Sequence, residues 1–231
     1  MKKYKNLFFD LDDTIWAFSQ NARDTFEEIF HNRSFERYFD SFSHFYSIYQ
    51  QRNRELWNMY GEGKITKNEL NRQRFLFPLQ SVGIDNPTLA EEYAKDFFSI
   101  ISTKSALMPH AREVLEYLFP NYHLYILSNG FRELQMKKMR SAKIENYFEK
   151  VILSEDLGIQ KPHPEIFYFA LSATQSNIQE SLIIGDSWEA DICGAHRIGM
   201  DHVFYNVAHQ SIYPFSPTYL IESLKELIDL L

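Results

Sequence analysis

The sequence predicts an α/β fold: a doubly wound parallel sheet of about five strands, with a helical domain inserted after the first strand. Three observations carry this reading. Five short runs are almost continuously apolar, as strands covered on both faces are. Helical patterns lie between the later runs, the alternation that builds parallel sheets. More than one hundred residues separate the first run from the second, and most of that interval reads as helix.

The strand candidates are "NLFFD" (6–10), "HLYILSN" (123–129), "KVILS" (150–154), "SLIIGD" (181–186) and "DHVFYN" (201–206). Between them, "AREVLEYLF" (111–119) follows Pro109, taken as a first-turn proline, and "FRELQMKKMRSA" (131–142) follows Gly130. "PEIFYFALSA" (164–173) opens on a proline suited to a helix N-terminus. "EADICGAHRIG" (189–199) ends in Gly199, which suits a C-cap. In the long interval, Phe35, Phe39, Phe42, Tyr46 and Tyr49 recur at steps of 4, 3, 4 and 3 and form a helical stripe. A packing face is the first reading of such a stripe, and a stacking surface for a nucleobase is the second. "YGEGKIT" (60–66) is the clearest turn of the block. The resulting division is a Rossmann-like core, 1–15 and 106–231, and a helical cap, 16–105, that folds beside the sheet and covers its edge.

Length and composition set the bounds. The chain has 231 residues, 45% of them apolar and 24% charged, within the usual globular range. Lys and Arg number 24 against 31 Asp and Glu, a net charge of −7. A polymeric nucleic acid requires a basic face, and no Lys/Arg run supplies one. A small anion held by one lysine is compatible with that charge. The single cysteine, Cys193, forms no disulfide within the chain, which fits a reducing cytoplasm. The opening "MKKYKNLFFD" has the basic residues of a signal peptide without its apolar region, and no run is long enough to span a membrane. The chain is read as soluble, a monomer or a homodimer.

The strand ends carry the chemistry. The first ends in Asp10-Leu11-Asp12, the second in Ser128-Asn129-Gly130, and the fourth runs into "GDSWEAD", with Asp186 and Asp191. Lys161 follows the third, in "GIQKPHPEIF". Ligands of open α/β sheets bind at the carboxyl ends of the strands. Asp or Ser at a loop start is commonplace taken singly, but four such clusters on one edge are not. Asp10 and Asp12, at i and i+2, share a side of an extended chain, roughly 6–7 Å apart. Asp13 faces away and has only a local role in the turn. Asp10 and Asp12 beside Asp186 repel one another unless a divalent cation joins them. Mg²⁺ favours such oxygen ligands, and Asp10 and Asp186 are assigned to it by side chain, with the Asp12 backbone carbonyl added. Ser128 offers a hydroxyl to a phosphate oxygen. Asn129 and Gly130 offer backbone N–H groups at a helix start, and Lys161 offers a point charge. With phosphate so held, a carboxylate attacks phosphorus, and Asp12 lies on the side to give the leaving alkoxide its proton.

At these residues the sequence resembles the haloacid dehalogenase superfamily of phosphohydrolases. The first motif of that family, Asp-x-Asp-x-Thr, reads Asp10-Leu11-Asp12-Asp13-Thr14, and the second falls at Ser128. The third falls at Lys161, and the fourth reads Gly185-Asp186-Ser187 with Asp191. The resemblance covers about 1–15 and 106–210, with a helical insertion where a first-type cap belongs. It implies the strand order 5-4-1-2-3, Asp10 as nucleophile, Asp12 as general acid/base, and Mg²⁺ at Asp10, the Asp12 carbonyl and Asp186. It also implies Thr14, Gly130 and Asp191 in support, Asp191 from outside the metal's direct ligands or by holding Lys161. The stretches "DLDDTIWAF", "LSNGFRELQMKKM" and "LGIQKPHPEIF" look most like the 5′-nucleotidases of pyrimidine and noncanonical nucleoside monophosphates.

The partner implied is therefore a small phosphorylated metabolite, with a nucleoside monophosphate first. A sugar-phosphate or phosphoglycolate phosphatase and a phosphomutase share the four motifs. Haloacid dehalogenases lack the second aspartate of the first motif, so Asp12 argues against them. A non-catalytic module would have lost at least one of Asp10, Asp12, Lys161 or Asp186. The eight histidines form no metal pattern. His110 and His163, beside prolines, are read as helix caps. His123, His196 and His202 are read as packing or capping residues, and Cys193 as a small buried residue. Trp16 is read as a packing residue at the start of the cap, with substrate contact as the alternative.

Overall fold

A computed structural model describes residues 3–207, 209–211 and 213–231. Met1 and Lys2, the start of the predicted core segment, lie outside the described residues, as do Ala208 and Ile212. In chain order the elements begin with β1 (Asn6–Phe9), α1 (Phe18–Asn32), α2 (Phe42–Gly61), α3 (Lys67–Ser81) and α4 (Pro87–Ile101). Then follow α5 (Ala111–Leu118), β2 (His123–Ser128), α6 (Arg132–Ser141), β3 (Lys150–Leu153), α7 (Ser154–Leu157) and α8 (Pro164–Ala173). The last are β4 (Ser181–Gly185), α9 (Cys193–Arg197), β5 (Asp201–Tyr205), β6 (Tyr219–Ile221) and α10 (Glu226–Leu230). The chain divides into two compact units, Met1–Ser19 with Ser105–Leu231, and Gln20–Lys104.

The first unit holds one sheet, in the order β3-β2-β1-β4-β5-β6, with every pairing parallel. The predicted five-strand order is present and gains a sixth strand. That strand has three residues, exists through its pairing of Val203 with Tyr219 and Tyr205 with Ile221, and is too short to show a period in sequence. β1 is central and wholly buried, which its unbroken apolar run requires. Side chains alternate across the sheet, so Phe8, Tyr125, Leu127 and Ile183 share a face with Ile166, Phe167 and Ala170 of α8 and Ala195 of α9. Gly194 permits the close approach of α8 and α9: a Cβ there would stand 2.4 Å from the Phe167 ring.

Local chemistry sets the helix starts. Pro164 opens α8 at its first turn, as its fixed φ favours. Pro109 instead precedes α5, whose N-cap is His110 at φ 65°. His110 and His163 occupy N-cap positions, but neither side chain caps its helix; they face Glu113 and Glu165. His123 is exposed beside Glu149, His196 stacks on Phe215 at 3.8 Å, and His202 is buried. Cys193 is half-buried rather than buried.

The second unit is built around rings. Phe26 of α1 lies 4.1 Å from Tyr49 and 5.8 Å from Phe45 of α2, 6.3 Å from Phe75 of α3 and 4.6 Å from Phe97 of α4. The predicted single stripe is broken. Phe35 lies in a 3₁₀ turn, and α2 starts afresh at Phe42 because the Ser41 hydroxyl accepts from the N–H of His44. Phe35, Phe39, Phe42 and Tyr49 are buried and Tyr46 is half-buried, so the packing reading describes them. Thr66 and Glu69 close a reciprocal capping box on α3. Among the described residues no helix is long and apolar enough to cross a membrane.

Candidate active site

The register of β1 assembles the site. Phe9 pairs with Ile126 on one side and Ile184 on the other. One step further, the Asp10 N–H donates to Ile184 O at 2.9 Å. The ends of β2 and β4 therefore bring Ser128 and Asp186 alongside Asp10. After Asp10 the chain turns sharply: Trp16 N–H donates to Leu11 O at 2.8 Å and Asp13 N–H to Trp16 O at 2.7 Å. Asp13 adopts φ 57° and accepts from Ser19 N at 2.8 Å and Ser19 Oγ at 2.6 Å. Its role is local, through a left-handed turn rather than the strand alternation from which it was predicted.

Lys161 stands at the centre, 4% exposed. Its ammonium donates to Asp10 Oδ1 at 2.7 Å, Asp191 Oδ1 at 2.6 Å and Leu127 O at 2.7 Å. An ammonium has three hydrogens, and these partners take all three. Burial opposes the charge, yet Asp10 and Asp191 outweigh it and raise the Lys161 pKa above the ordinary value. The Lys161 backbone is clasped by the residue that follows β2: Asn129 Nδ2 donates to Lys161 O at 3.0 Å, and Lys161 N donates to Asn129 Oδ1 at 2.8 Å. The Asn129 side chain thus anchors the lysine.

Asp186 pairs twice with Thr14, which donates from Oγ1 to Asp186 Oδ1 at 2.9 Å and accepts from the Asp186 N–H at 3.1 Å. Asp191 is fully buried and reaches back across a single π turn, Trp188–Ile192, where helix 189–199 was expected to run regularly. Its Oδ1 holds Lys161 and its Oδ2 accepts from Ser187 N at 3.1 Å. Asp10, Asp186 and Asp191 each bring a carboxylate oxygen within 4.8 Å of the others. Three carboxylates face one ammonium there. Burial, partly offset by Lys161, raises the Asp10 pKa to about 7. Burial, then Asp10 and Asp191, raise that of Asp186 well above the carboxylate range. An excess of hard oxygen donors in a buried site fits a divalent cation such as Mg²⁺.

Asp12 and Ser128 are joined by residues of α6. Gln135 Nε2 donates to Asp12 Oδ2 at 2.9 Å and to Ser128 Oγ at 2.8 Å. Lys138 Nζ donates to Asp12 Oδ1 at 2.7 Å. The Gly130 N–H, expected to face phosphate, donates instead to Ser128 Oγ at 3.1 Å. Gly130 has a further role: a Cβ there would stand 2.2 Å from Gln135 Nε2. Trp16 is fully buried, its ring 4.8 Å from the Lys138 ammonium.

Four strand-end clusters meeting around one buried lysine match the pattern quoted from sequence, and residues 7–205 match the haloacid dehalogenase-like hydrolase family. The chain belongs to that family. It is 31% identical to the HAD-hydrolase YfnB of Bacillus subtilis, over all of this chain and 97% of that protein. It is 30% identical to the pyrimidine 5′-nucleotidase YjjG of Escherichia coli, over 99% of this chain and 98% of the relative. The crystal structure of YfnB bound to magnesium superposes with a TM-score of 0.89 at 29% identity and covers 99% of both chains.

Within this haloacid dehalogenase-like hydrolase, Lys161 joins Asp10 and Asp191, Asp186 lies beside them with Thr14 on it, and Ser128 is tied to Asp12 through Gln135. Gln135 and Lys138 were not picked out. Burial is what marks them: the buried residues of α6 are Gln135, Lys138 and Met139, and two of the three are polar. A polar pair on a face that should be apolar marks a group needing a partner.

Proposed function

We propose that the chain is a Mg²⁺-dependent phosphomonoester hydrolase that acts on nucleoside 5′-monophosphates through an aspartyl-phosphate at Asp10. The observation that carries this is the state of Asp10. It ends the central strand and is held on Oδ1 by Lys161. Its Oδ2 carries no hydrogen bond among the described residues and is the oxygen that attacks.

Asp10 and Asp186 by side chain, and Asp12 by its carbonyl, would hold the metal. When bound, it supplies positive charge against the phosphate oxygens and the developing negative charge. Ser128 donates its hydroxyl to a phosphate oxygen, and Lys161 lends its charge. Asp10 Oδ2 forms a bond to phosphorus as the bond to the leaving oxygen breaks. Asp12 passes its proton to that oxygen and then takes one from the water that attacks phosphorus. The phosphorus–Asp10 bond breaks, phosphate leaves, and Asp10 and Asp12 are restored. The nucleotide preference is supported by full-length similarity to proteins named pyrimidine 5′-nucleotidases, YjjG and PynA of Streptococcus pneumoniae.

The test is a phosphate-release screen with Mg²⁺ across nucleoside monophosphates, sugar phosphates and phosphoglycolate. Turnover led by pyrimidine nucleoside monophosphates is expected, and Asp10→Asn should abolish it while the protein stays folded. A flat response to every nucleotide defeats the substrate class. Near wild-type activity in Asp10→Asn defeats the nucleophile.

A further inference from the structure

Lys138 and Gln135 lie three residues apart on the buried face of α6, 2% and 0% exposed. Neither belongs to the four motifs, and both touch Asp12. A buried ammonium needs partners. Lys138 has the Asp12 carboxylate at 2.7 Å and the rings of Trp16 and Phe18, each centred 4.8 Å away. Rings that face a cation hold it in place without taking its hydrogens.

Gln135 is more constrained. Its amide nitrogen has two hydrogens, one directed to Asp12 Oδ2 and one to Ser128 Oγ. The amide cannot be reversed without turning its oxygen against the carboxylate. Its Oε1 is buried without a hydrogen-bond partner among the described residues. A residue serving packing alone would carry no amide here. Ser128 Oγ accepts from Gln135 and from the Gly130 N–H, which fills both its lone pairs. Its own hydrogen is left to point at an anion.

We infer that Lys138 and Gln135 are the positioning pair of the active site: together they fix the Asp12 carboxylate at both oxygens, and Gln135 also sets Ser128 as a donor. Neither residue exchanges a proton. Each Asp12 oxygen keeps a second lone pair for the proton it carries, and the side chain remains 28% exposed. This inference rests on the reading of Asp12 as the proton carrier.

The test compares kcat/KM, which reports transfer from substrate to Asp10, for two esters in Mg²⁺. One is a nucleoside 5′-monophosphate, whose alkoxide must be protonated to leave. The other is p-nitrophenyl phosphate, whose phenolate leaves unaided. Lys138→Met should lower kcat/KM on the order of 100-fold for the nucleotide and by no more than about threefold for the aryl ester. Gln135→Met should separate the esters in the same direction and also raise KM for both, because Ser128 loses its orientation. It reads the same hold from the other carboxylate oxygen should Lys138→Met not fold. In an Asp12→Asn background, Lys138→Met should add nothing to the separation. Equal losses on both esters, or a further separation in that background, would overturn the inference. Asp12→Asn is the reference arm. If it separates the esters and neither α6 variant does, the positioning role alone is wrong. If Asp12→Asn leaves the ratio unchanged, the proton-carrier reading is wrong and the inference falls with it.

Discussion

A Cβ placed on Gly185 would stand 2.2 Å from Asp191 Oδ2. The last residue of β4 is thus bare because a carboxylate from the following π turn lies against it. Asp191 cannot retreat without releasing Lys161 and the Ser187 N–H. Gly185→Ala should therefore move Asp191 and, through it, Lys161. A displacement of that size costs on the order of 100-fold in kcat, and the overpacking costs about 1–3 kcal/mol of stability. Steady-state kinetics and a melting curve check both. Turnover at the wild-type rate would show that the position of Asp191 is not needed.

The Thr14–Asp186 pair gives a second prediction. The hydroxyl donates to the Asp186 carboxylate and accepts from the Asp186 backbone N–H, so by these two bonds it ties the carboxylate to its own main chain. Thr14→Val keeps the shape and removes both. Mg²⁺ affinity should fall about 10–100-fold, the usual effect of losing a partner that orients a metal ligand. Thr14→Ser, which keeps the hydroxyl, should bind near the wild-type level. Calorimetric titration with Mg²⁺ separates the two variants, and equal affinities would remove the role given to Thr14.

The sequence made the strand ends legible because two signals coincide there. An apolar run marks a buried strand, and an acid or hydroxyl at its end has no packing reason to be present. Asp10, Ser128 and Asp186 were readable for that reason. Register was not, since one chain does not say which strands neighbour; Phe9 opposite Ile126 and Ile184 is a fact of the fold. β6 escaped because three residues at a sheet edge show no period. Gln135 and Lys138 escaped because a glutamine and a lysine in a helix read as solvated, and only burial reveals otherwise. The stripe from Phe35 to Tyr49 kept a helical period across a break, because a 3₁₀ turn and a new helix start put rings on the same core.

That core carries a stability prediction. Phe26 touches a ring from each of α2, α3 and α4, so its removal leaves a cavity at the centre of the second unit. Phe26→Ala should cost about 3–5 kcal/mol. Urea denaturation measures it. A loss below about 1 kcal/mol, the level of a surface change, would mean that the rings close over the gap.

The pH dependence of metal binding follows from Asp10 and Asp186. Burial first, with Asp191 and Asp12 adding and Lys161 opposing, raises Asp10 to about 7 in the metal-free protein, and Asp186 is also raised. Unfolded aspartates titrate near 4, so between these values the folded metal-free protein binds protons that the unfolded chain has lost. The contribution of these carboxyls to stability is therefore full below about pH 4. It is lost as pH rises through about 7 for Asp10, and likewise as pH rises through the raised pKa of Asp186. Mg²⁺ must displace those protons, so its affinity should weaken about tenfold for each unit by which pH falls below the raised pKa, for each proton displaced. Added Mg²⁺ should then raise Tm strongly at about pH 8, where Asp10 is ionised, and little at about pH 5.5, where it is protonated. Scanning calorimetry with and without Mg²⁺ at both pH values measures this. Equal shifts at the two would mean that the metal is bound by groups other than Asp10 and Asp186.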